Sequence, residues 1–535
     1  MSRILVIGGY GGFGARLSRR LLRAGHRVLV AGRRFDRAAA FCAGLEGAEP
    51  VVADRTSGIG MVLARERPEL VIDAAGPFQG SGYTVPEACI AMRIPYLDLA
   101  DSRDFVTGIA ALNKGAEVKV PVVSGASSVP ALSGAVARAL AEGLARVERV
   151  DIAISASNRA VAGPAVAAAI LSYVGRPVRV WRGQRWTRAT GWQELRREHF
   201  AIEGGGAPLR RWIALAEVPD LSLSPDLLPG RPATTFRAGT ELGFQMLALW
   251  LLSWPVRWGW CGTLRGAAPW LHKLQRITGW AGGDRSAMSV TLVGTGVRRR
   301  WTLIAEKGDG PEIPTLAAEL LAEDILAGRV PPGARDASRL LTLDRFEPLF
   351  AGLAIRHAVC ERPVEPLYSR AMGARFAGLP EQVRAMHALH GDAGATGEGE
   401  VRRGTGLAWL VGRVMGFPPS GSYPLRVAFA ARGGKERWTR DFGGHAFSSE
   451  LGQAGQGVAE RFGPLRFAFD LPSDGDGLRM VLRRWSAFGV PMPRLLGPRI
   501  AAREWQEDGR FRFEVRVALP LLGEVVHYAG WLERA

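Results

Sequence analysis

Gly9, Gly11 and Gly14 fall in the spacing G-x-G-x-x-G inside the run Val6-Ile7-Gly8-Gly9-Tyr10-Gly11-Gly12-Phe13-Gly14. Each bare position answers a physical need. Gly9 permits a tight turn out of a strand, and Gly11 lets backbone amides approach a pyrophosphate. Gly14 allows the following helix to pack against the strand, with its positive end toward the phosphates. An apolar run precedes the loop and an amphipathic segment follows it, which is the context that gives this spacing meaning. The chemistry expected is the binding of a dinucleotide.

The tip of the next apolar run selects the dinucleotide. An NAD site places an acid about 20 residues on, against the ribose hydroxyls. Here the chain reads Ala31-Gly32-Arg33-Arg34, with no acid from Ala15 through Phe35. Two guanidinium groups suit a 2′-phosphate, so NADP (NADPH) is favoured over NAD. Asp36 is read as a cap for the next helix. Asp54, after Val51-Val52-Ala53, has two readings: an acceptor for the adenine amino group, or a turn cap.

These residues need a scaffold. Strands are expected at Ile4-Ile7, Arg27-Ala31, Pro50-Ala53, Leu70-Ala74, Pro95-Leu99 and Val120-Ser124. Helices are expected at Gly12-Arg23, Arg37-Leu45, Gly58-Arg65, Thr84-Arg93 and Asp104-Glu117. Strands alternating with helices predict an α/β fold, a doubly wound parallel sheet of Rossmann type over 1–125. The fourth strand ends in Asp73-Ala74-Ala75-Gly76-Pro77-Phe78, small residues that leave room for a flat ring at the crevice.

The glycine loop, Ala31-Gly32-Arg33, Ala74-Ala75-Gly76-Pro77-Phe78 and Tyr96-Leu97-Asp98-Leu99-Ala100-Asp101, in that order, resemble the saccharopine dehydrogenase-like NAD(P)-binding family. Gly125-Ala126-Ser127-Ser128-Val129-Pro130 is similar to the family's next landmark. The resemblance runs from Met1 to about Cys360. It implies an NAD(P)-dependent oxidoreductase whose relatives act on secondary amines joining amino acids or on enoyl groups of lipids. It also implies that Gly9, Gly11, Gly12, Phe13, Gly14, Arg33, Asp54, Ala75, Gly76, Pro77 and Phe78 line the cofactor. Tyr83, Asp101 and Ser127 are proton-transfer candidates, each with a structural alternative, and no catalytic residue is singled out.

The formal net charge of +18 comes almost wholly from arginine, since Lys114, Lys119, Lys273, Lys307 and Lys435 are the only lysines. The arginines are spread along the chain with no nucleic-acid motif, so a basic surface suited to anionic ligands and membranes is expected, not nucleic-acid binding. Cys42, Cys89, Cys261 and Cys360 form no C-x-x-C pair, so neither a disulfide scaffold nor a metal site is expected. With no signal-peptide pattern, a cytoplasmic protein is expected. The uncharged stretch Leu242-Val256 is too short to span a bilayer. The segment 243–260, with Trp250, Trp254, Trp258 and Trp260, reads either as an interfacial helix at the membrane's inner face or as a core or lid helix. Either favours an apolar or acyl-bearing substrate.

Beyond 125, strands at Val150-Ser155, Ser289-Val293 and Arg299-Ala305 and helices at Gly163-Val174 and Glu312-Leu326 predict an α/β substrate domain over 126–360 with a helical cover, rich in tryptophan including Trp270 and Trp280. A linker is read at Glu361-Pro366 from its two prolines. From 366 to 535 the chain is β-rich and antiparallel, with seven short strands in a curved sheet or small barrel. Leu379-Pro380, Arg440-Asp441-Phe442-Gly443-Gly444 and Val526-His527-Tyr528-Ala529-Gly530-Trp531 resemble the bacterial domain of unknown function DUF4166. Glu436, Trp438, Arg440 and Phe442 share one strand face, read as a barrel pocket for an amphipathic ligand or as an exposed face. The expectation for the whole is an NADP-dependent oxidoreductase with a small-molecule, lipid-like substrate. The alternatives are an enoyl or imine reductase of lipid metabolism, and a non-catalytic NADP-binding sensor or scaffold.

Overall fold

The computed structural model describes residues 1–534 except 115–116, 160–163, 268 and 270–276, so Gly163, Trp270 and Lys273 lie outside the described residues. Three large sheets and a two-stranded one, 177–182 with 185–190, make up the described fold.

The first sheet contains β1 (Arg3–Ile7), β2 (Arg27–Gly32), β3 (Ala48–Val52), β4 (Leu70–Asp73), β5 (Tyr96–Asp98) and β6 (Pro121–Ser124). Its crossovers are α1 (Gly12–Arg23), α2 (Phe35–Cys42), α3 (Ile59–Glu66), α4 (Thr84–Met92) and α5 (Arg103–Gly108), the last followed by a 3-10 turn over Ile109–Lys114. The order is β6-β5-β4-β1-β2-β3, all parallel. Strands buried on both faces need apolar residues at every position, as in Ile4-Leu5-Val6-Ile7, all at most 1% exposed. The strand order reverses between β1 and β4, which opens a crevice at their carboxyl ends.

A seventh strand, Gly333–Asp336, pairs in parallel with β6, and Asn113 locks it by accepting from the Ala334 N–H and donating to its carbonyl. The helix Ile313–Leu326 packs on α1, where Arg20 meets Glu319 at 2.5 Å and His26 meets Glu323 at 2.7 Å. The block expected over 126–360 is therefore divided: 313–336 returns to the first sheet. Its four-residue strand carries a single buried apolar residue, Ala334, which is too little pattern to mark a strand.

The second sheet runs 196–200, 209–215, 233–240, 147–156, 286–294, 297–305 and 355–363, with only the 147–156 and 233–240 pair parallel. One apolar core passes from the first sheet through Ser133–Ala141 and Ile313–Leu326 to Ile152, Val290 and Leu303 of the second. The strand Ile355–Pro363 continues into the expected linker, shortening it to 364–366. It is an edge strand with Pro363 as its last residue, where a missing N–H costs no ladder bond.

The third sheet is antiparallel. Its ten long strands between Asp392 and Arg534 close into a barrel through the pairing of 465–470 with 477–487, and the short strand Val490–Met492 adds outside the ring. Three of these strands escape the sequence reading. In Asp392–Arg403, Gly397 and Gly399 face neighbours that leave no room for a side chain: Cβ atoms there would stand 1.9 Å from the Trp531 carbonyl and 2.7 Å from the Phe442 ring. The helices Leu367–Met372 and Glu381–His387 close the barrel end that meets the second sheet. There Arg149 contacts Asp392 at 3.4 Å, and Glu148 accepts from the Gly391 N–H at 2.6 Å and from Arg534 at 3.1 Å.

Candidate functional site

The glycine loop connects β1 to α1 at the crevice. Gly8 takes the left-handed conformation (φ +77°), one residue before the glycine expected to turn the chain. A Cβ on Gly8 would meet the Ala75 backbone at 3.0 Å, and one on Gly9 would meet the Val6 carbonyl at 2.8 Å. The Gly11 N–H closes the turn on the Gly8 carbonyl at 2.8 Å, and Ser18 Oγ donates to the Gly9 carbonyl at 3.0 Å. Gly11 and Gly12 are exposed, and a Cβ on Gly12 would touch nothing within 4 Å. The first amides of α1, which have no acceptor within the helix, thus stand at an open face. That face fits a diphosphate.

Tyr10 adds a contact the spacing did not reveal. Its ring lies where a Cβ on Gly32 would be, 2.4 Å away, and its hydroxyl accepts from the Arg34 N–H at 3.2 Å. The loop is thereby tied to the tip of β2. Arg33 and Arg34 are both exposed there, and among the described residues neither has a carboxylate in ion-pair range. Asp54 stands beside Arg33; its Oδ1 accepts from the Thr56 N–H at 2.9 Å and from the Thr56 hydroxyl at 2.7 Å. Those bonds, together with Arg33 and Arg55, hold its carboxyl below the usual range. The turn-cap geometry is present, and among the described residues Oδ2 has no bond of its own.

On the other side of the crevice, Gly76 is exposed and Ala75 and Pro77 are half-buried. Phe78 turns inward, 3% exposed, against Phe105 at 5.1 Å. Arg55 lies 4.5 Å over its ring and bonds Asp73 Oδ2 at 3.1 Å and Ser81 at 3.1 Å. Asp73 also accepts from the Ala75 N–H at 2.9 Å, so this one buried carboxylate fixes the loop after β4. Burial pushes its pKa up, against the opposing pull of Arg55. Asp98, at the end of β5, does the same for the exit from β6. It accepts from the N–H groups of Ala100 and Gly125 and from Ser124 Oγ, at 3.0, 2.8 and 3.0 Å. Burial raises its pKa to about 7.

The three proton-transfer candidates are placed differently. Tyr83 donates its hydroxyl proton to the Phe105 carbonyl at 2.8 Å, and the ring packs on Phe105. Ser127 is 7% exposed within the turn after β6. Asp101 accepts from Gln79 at 3.2 Å, and burial raises its pKa. Its charge and that of Glu217 reach Tyr173, whose pKa burial already raises. Arg103 completes this junction, donating to Ser222 at 2.7 Å and to the Arg179 carbonyl at 2.7 Å, with Glu217 at 3.5 Å. Its partners come from 76 to 119 residues away, so no local spacing announces it.

The helix Gly243–Arg257 packs on the strands 209–215 and 233–240 of the second sheet, burying Gln245, Met246, Leu249, Ser253 and Val256. Its other face exposes Phe244, Leu247, Leu251 and Leu252. Arg257 is exposed, bonds Gln193 at 2.9 Å and covers Trp254. No helix among the described residues is long and apolar enough to cross a membrane.

Comparison with known proteins agrees with this geometry at the level of domains. Residues 4–119 match the saccharopine dehydrogenase NADP binding domain, and residues 379–532 match the domain of unknown function DUF4166. The chain therefore carries one of each, at its two ends. Among solved structures, apo saccharopine dehydrogenase (L-Glu forming) from Saccharomyces cerevisiae is 12% identical, covering 67% of this chain and 100% of its own, with a TM-score of 0.43. A short chain dehydrogenase/reductase family oxidoreductase from Burkholderia thailandensis is 26% identical over 18% of this chain and 50% of its own, with a TM-score of 0.16. The Bordetella bronchiseptica enzyme WbmG in complex with NAD is 21% identical over 18% of this chain and 36% of its own, also at 0.16. No curated protein matches.

Proposed function

We propose that this chain, with a saccharopine dehydrogenase NADP binding domain at its start, is an NADP-dependent oxidoreductase acting on an apolar or acyl-bearing substrate. One observation carries the reading: Arg33 and Arg34 stand exposed, without carboxylate partners, at the tip of the strand next to an open glycine turn. Guanidinium groups there take a 2′-phosphate, while the first amides of α1 take the diphosphate. Gly9, Gly11, Gly12, Phe13 and Gly14 form one wall of the cofactor site, and Ala75, Gly76 and Pro77 the other, with Phe78 backing it and Asp54 at the adenine end.

The nicotinamide, when bound, supplies or accepts hydride. This chain's residues orient the substrate, exclude water and move the matching proton. Asp101 is the group best suited to that proton. Its charge reaches Tyr173 on the helix 164–173, Gln79 fixes it, and its raised pKa lets it hold a proton nearer neutrality. Tyr83 has its hydroxyl committed and Ser127 is enclosed. The exposed apolar face of 243–257 supports an apolar substrate over a highly charged one.

The test is NADPH oxidation across a panel of imines, carbonyls and enoyl thioesters, followed by Asp101→Asn on whichever substrate turns over. A fall of about 100-fold or more in kcat with unchanged NADPH affinity is expected. Tight NADPH binding with no oxidation across the panel would favour instead a cofactor-bound sensor.

A further inference from the structure

The barrel has two unlike ends. The end with the turns 433–434, 455–456 and 508–509 is closed by the helices 367–372 and 381–387 and sits against the second sheet. The opposite end is formed by 404–420, 443–444, 463–464, 488–498 and 520–522. Among the described residues of this domain, the exposed large apolar side chains gather at that far end, Val481 apart. They come from segments distant in sequence. Leu410 and Val414 lie on the helix 406–414, Phe488 and Leu495 in the turn after 477–487, and Leu521 (fully exposed) at a hairpin tip. Separate loops that expose apolar side chains to one side form a rim, and soluble surfaces rarely build one without a use.

The rim surrounds the mouth of a cavity of about 180 Å3. Val411 and Met415, on the same helix as the rim, line its outer part with Trp485 and Leu519. Arg440 with Glu460 at 3.7 Å lies level with Trp485, and nearer the closed end Glu504 meets the fully buried His387 at 2.5 Å. The walls are otherwise aromatic and aliphatic. An apolar cavity of about 150 Å3 already holds a benzene molecule, so this one accepts a chain or ring segment, with hydrogen-bonding groups waiting at depth.

Charge names the surface outside. No acid occurs in 404–420, 443–444, 463–464, 488–498 or 520–522, whereas Arg413 and Arg494 lie within them and Arg461, Arg466, Arg484 and Arg499 flank them. Asp441 and Glu524, each two residues outside these connections, are the acids nearest to them in sequence, and Asp441 is paired with Arg185 at 3.2 Å. Exposed apolar side chains among unbalanced arginines are complementary to an anionic bilayer. We infer that the barrel is a binding site for an apolar lipid with one hydrogen-bonding end, loaded through its far mouth while the rim rests on an anionic membrane. The inference is independent of the redox reading, because none of these residues belongs to the crevice.

The full chain is tested by flotation with phosphatidylcholine vesicles, with and without a third of phosphatidylglycerol. Binding to the anionic vesicles is expected, weakened at least about tenfold by Leu410→Asp, Leu495→Asp and Leu521→Asp together. All three side chains are exposed, so the thermal midpoint should not move. Binding that survives this triple variant, or that is lost only with Leu247→Asp and Leu251→Asp on the helix 243–257, overturns the rim assignment. A dansyl-labelled undecanoic acid reports the cavity. Uptake that saturates at one probe per chain and is lost in Ala502→Phe or Val517→Phe supports the site. Non-saturating uptake by the unmodified chain, or uptake indifferent to whichever filling variant folds, overturns it.

Discussion

A Cβ on Gly14 would lie 2.1 Å from the carbonyl oxygen of Gly8, so the first turn of α1 rests directly on the backbone leaving β1. Gly12, two residues earlier, has nothing within 4 Å of the same position. Gly14→Ala must push the helix off the strand, and both a lower thermal midpoint and loss of NADPH binding are expected. Gly12→Ala should leave stability within about 1 kcal/mol, since alanine suits a helix better than glycine. Its methyl group would occupy the open face, so NADPH affinity should fall all the same. Paired melting curves and fluorescence titrations separate the two.

Arg33→Asp with Arg34→Ala should move the preference from NADPH toward NADH by about tenfold or more, the worth of a charge-assisted contact. No carboxylate in ion-pair range depends on either side chain, so the melting curve should be unchanged. Equal NADPH affinity in the variant would remove the 2′-phosphate assignment.

The first sheet was readable in the sequence because a parallel sheet announces itself: short apolar runs, helices between them, a glycine turn at the first crossing. The expected Gly12-Arg23 helix is the observed α1 to the residue. What escaped has a common cause. The Gly333–Asp336 strand, the Gly397 and Gly399 positions and Arg103 are each defined by partners far along the chain. Local periodicity cannot report them. Within the site, Gly9, Gly11 and Gly14 followed from spacing, but Tyr10 and Arg55 did not, since their partners Gly32 and Asp73 are met only in three dimensions. In the barrel, Trp438, Arg440 and Phe442 do face inward together and line the cavity, while Glu436 is buried and accepts from the Trp438 indole at 3.0 Å.

Asp98 gives stability a pH dependence of definite sign. Its native pKa is raised to about 7 from 3.8, so between those values the folded chain holds a proton that the unfolded chain has released. Its contribution to stability is therefore full below the lower value, falls as pH rises by roughly 1.4 kcal/mol per unit, and levels off above the upper one. Asp98→Asn keeps an acceptor for Ala100, Gly125 and Ser124 and cannot ionise. Urea unfolding of the variant between pH 5 and pH 8, roughly the span in question, should show a flatter profile than the parent chain. Identical slopes would mean that Asp98 is ionised throughout.

Arg149 joins the second sheet to the barrel, with Asp151 at 2.8 Å and Asp392 at 3.4 Å, and is 7% exposed. Burial works against the charge of Asp151, yet Arg432, Arg149, Arg196 and Arg237 outweigh it and hold its carboxyl well below the ordinary range. Arg149→Met leaves two buried carboxylates short of a partner and should cost about 3 kcal/mol. Calorimetry should also show the barrel's transition separating from that of the two sheets, because the joint between them is what is cut.

The return of 313–336 to the first sheet has a mechanical consequence. The chain leaves that sheet after Ser124 and re-enters it at Gly333, on the strand immediately beside β6. Six of the second sheet's seven strands are thus inserted between two neighbouring strands, and the seventh, 355–363, follows the return, so the chain passes between the two sheets three times. A body joined by three passes of chain and one continuous apolar core cannot wander like a bead on a string. Any opening of the cleft would bring the same pair of surfaces, Asp101 on one side and Tyr173 with Glu217 on the other, back into the same register each time it shut.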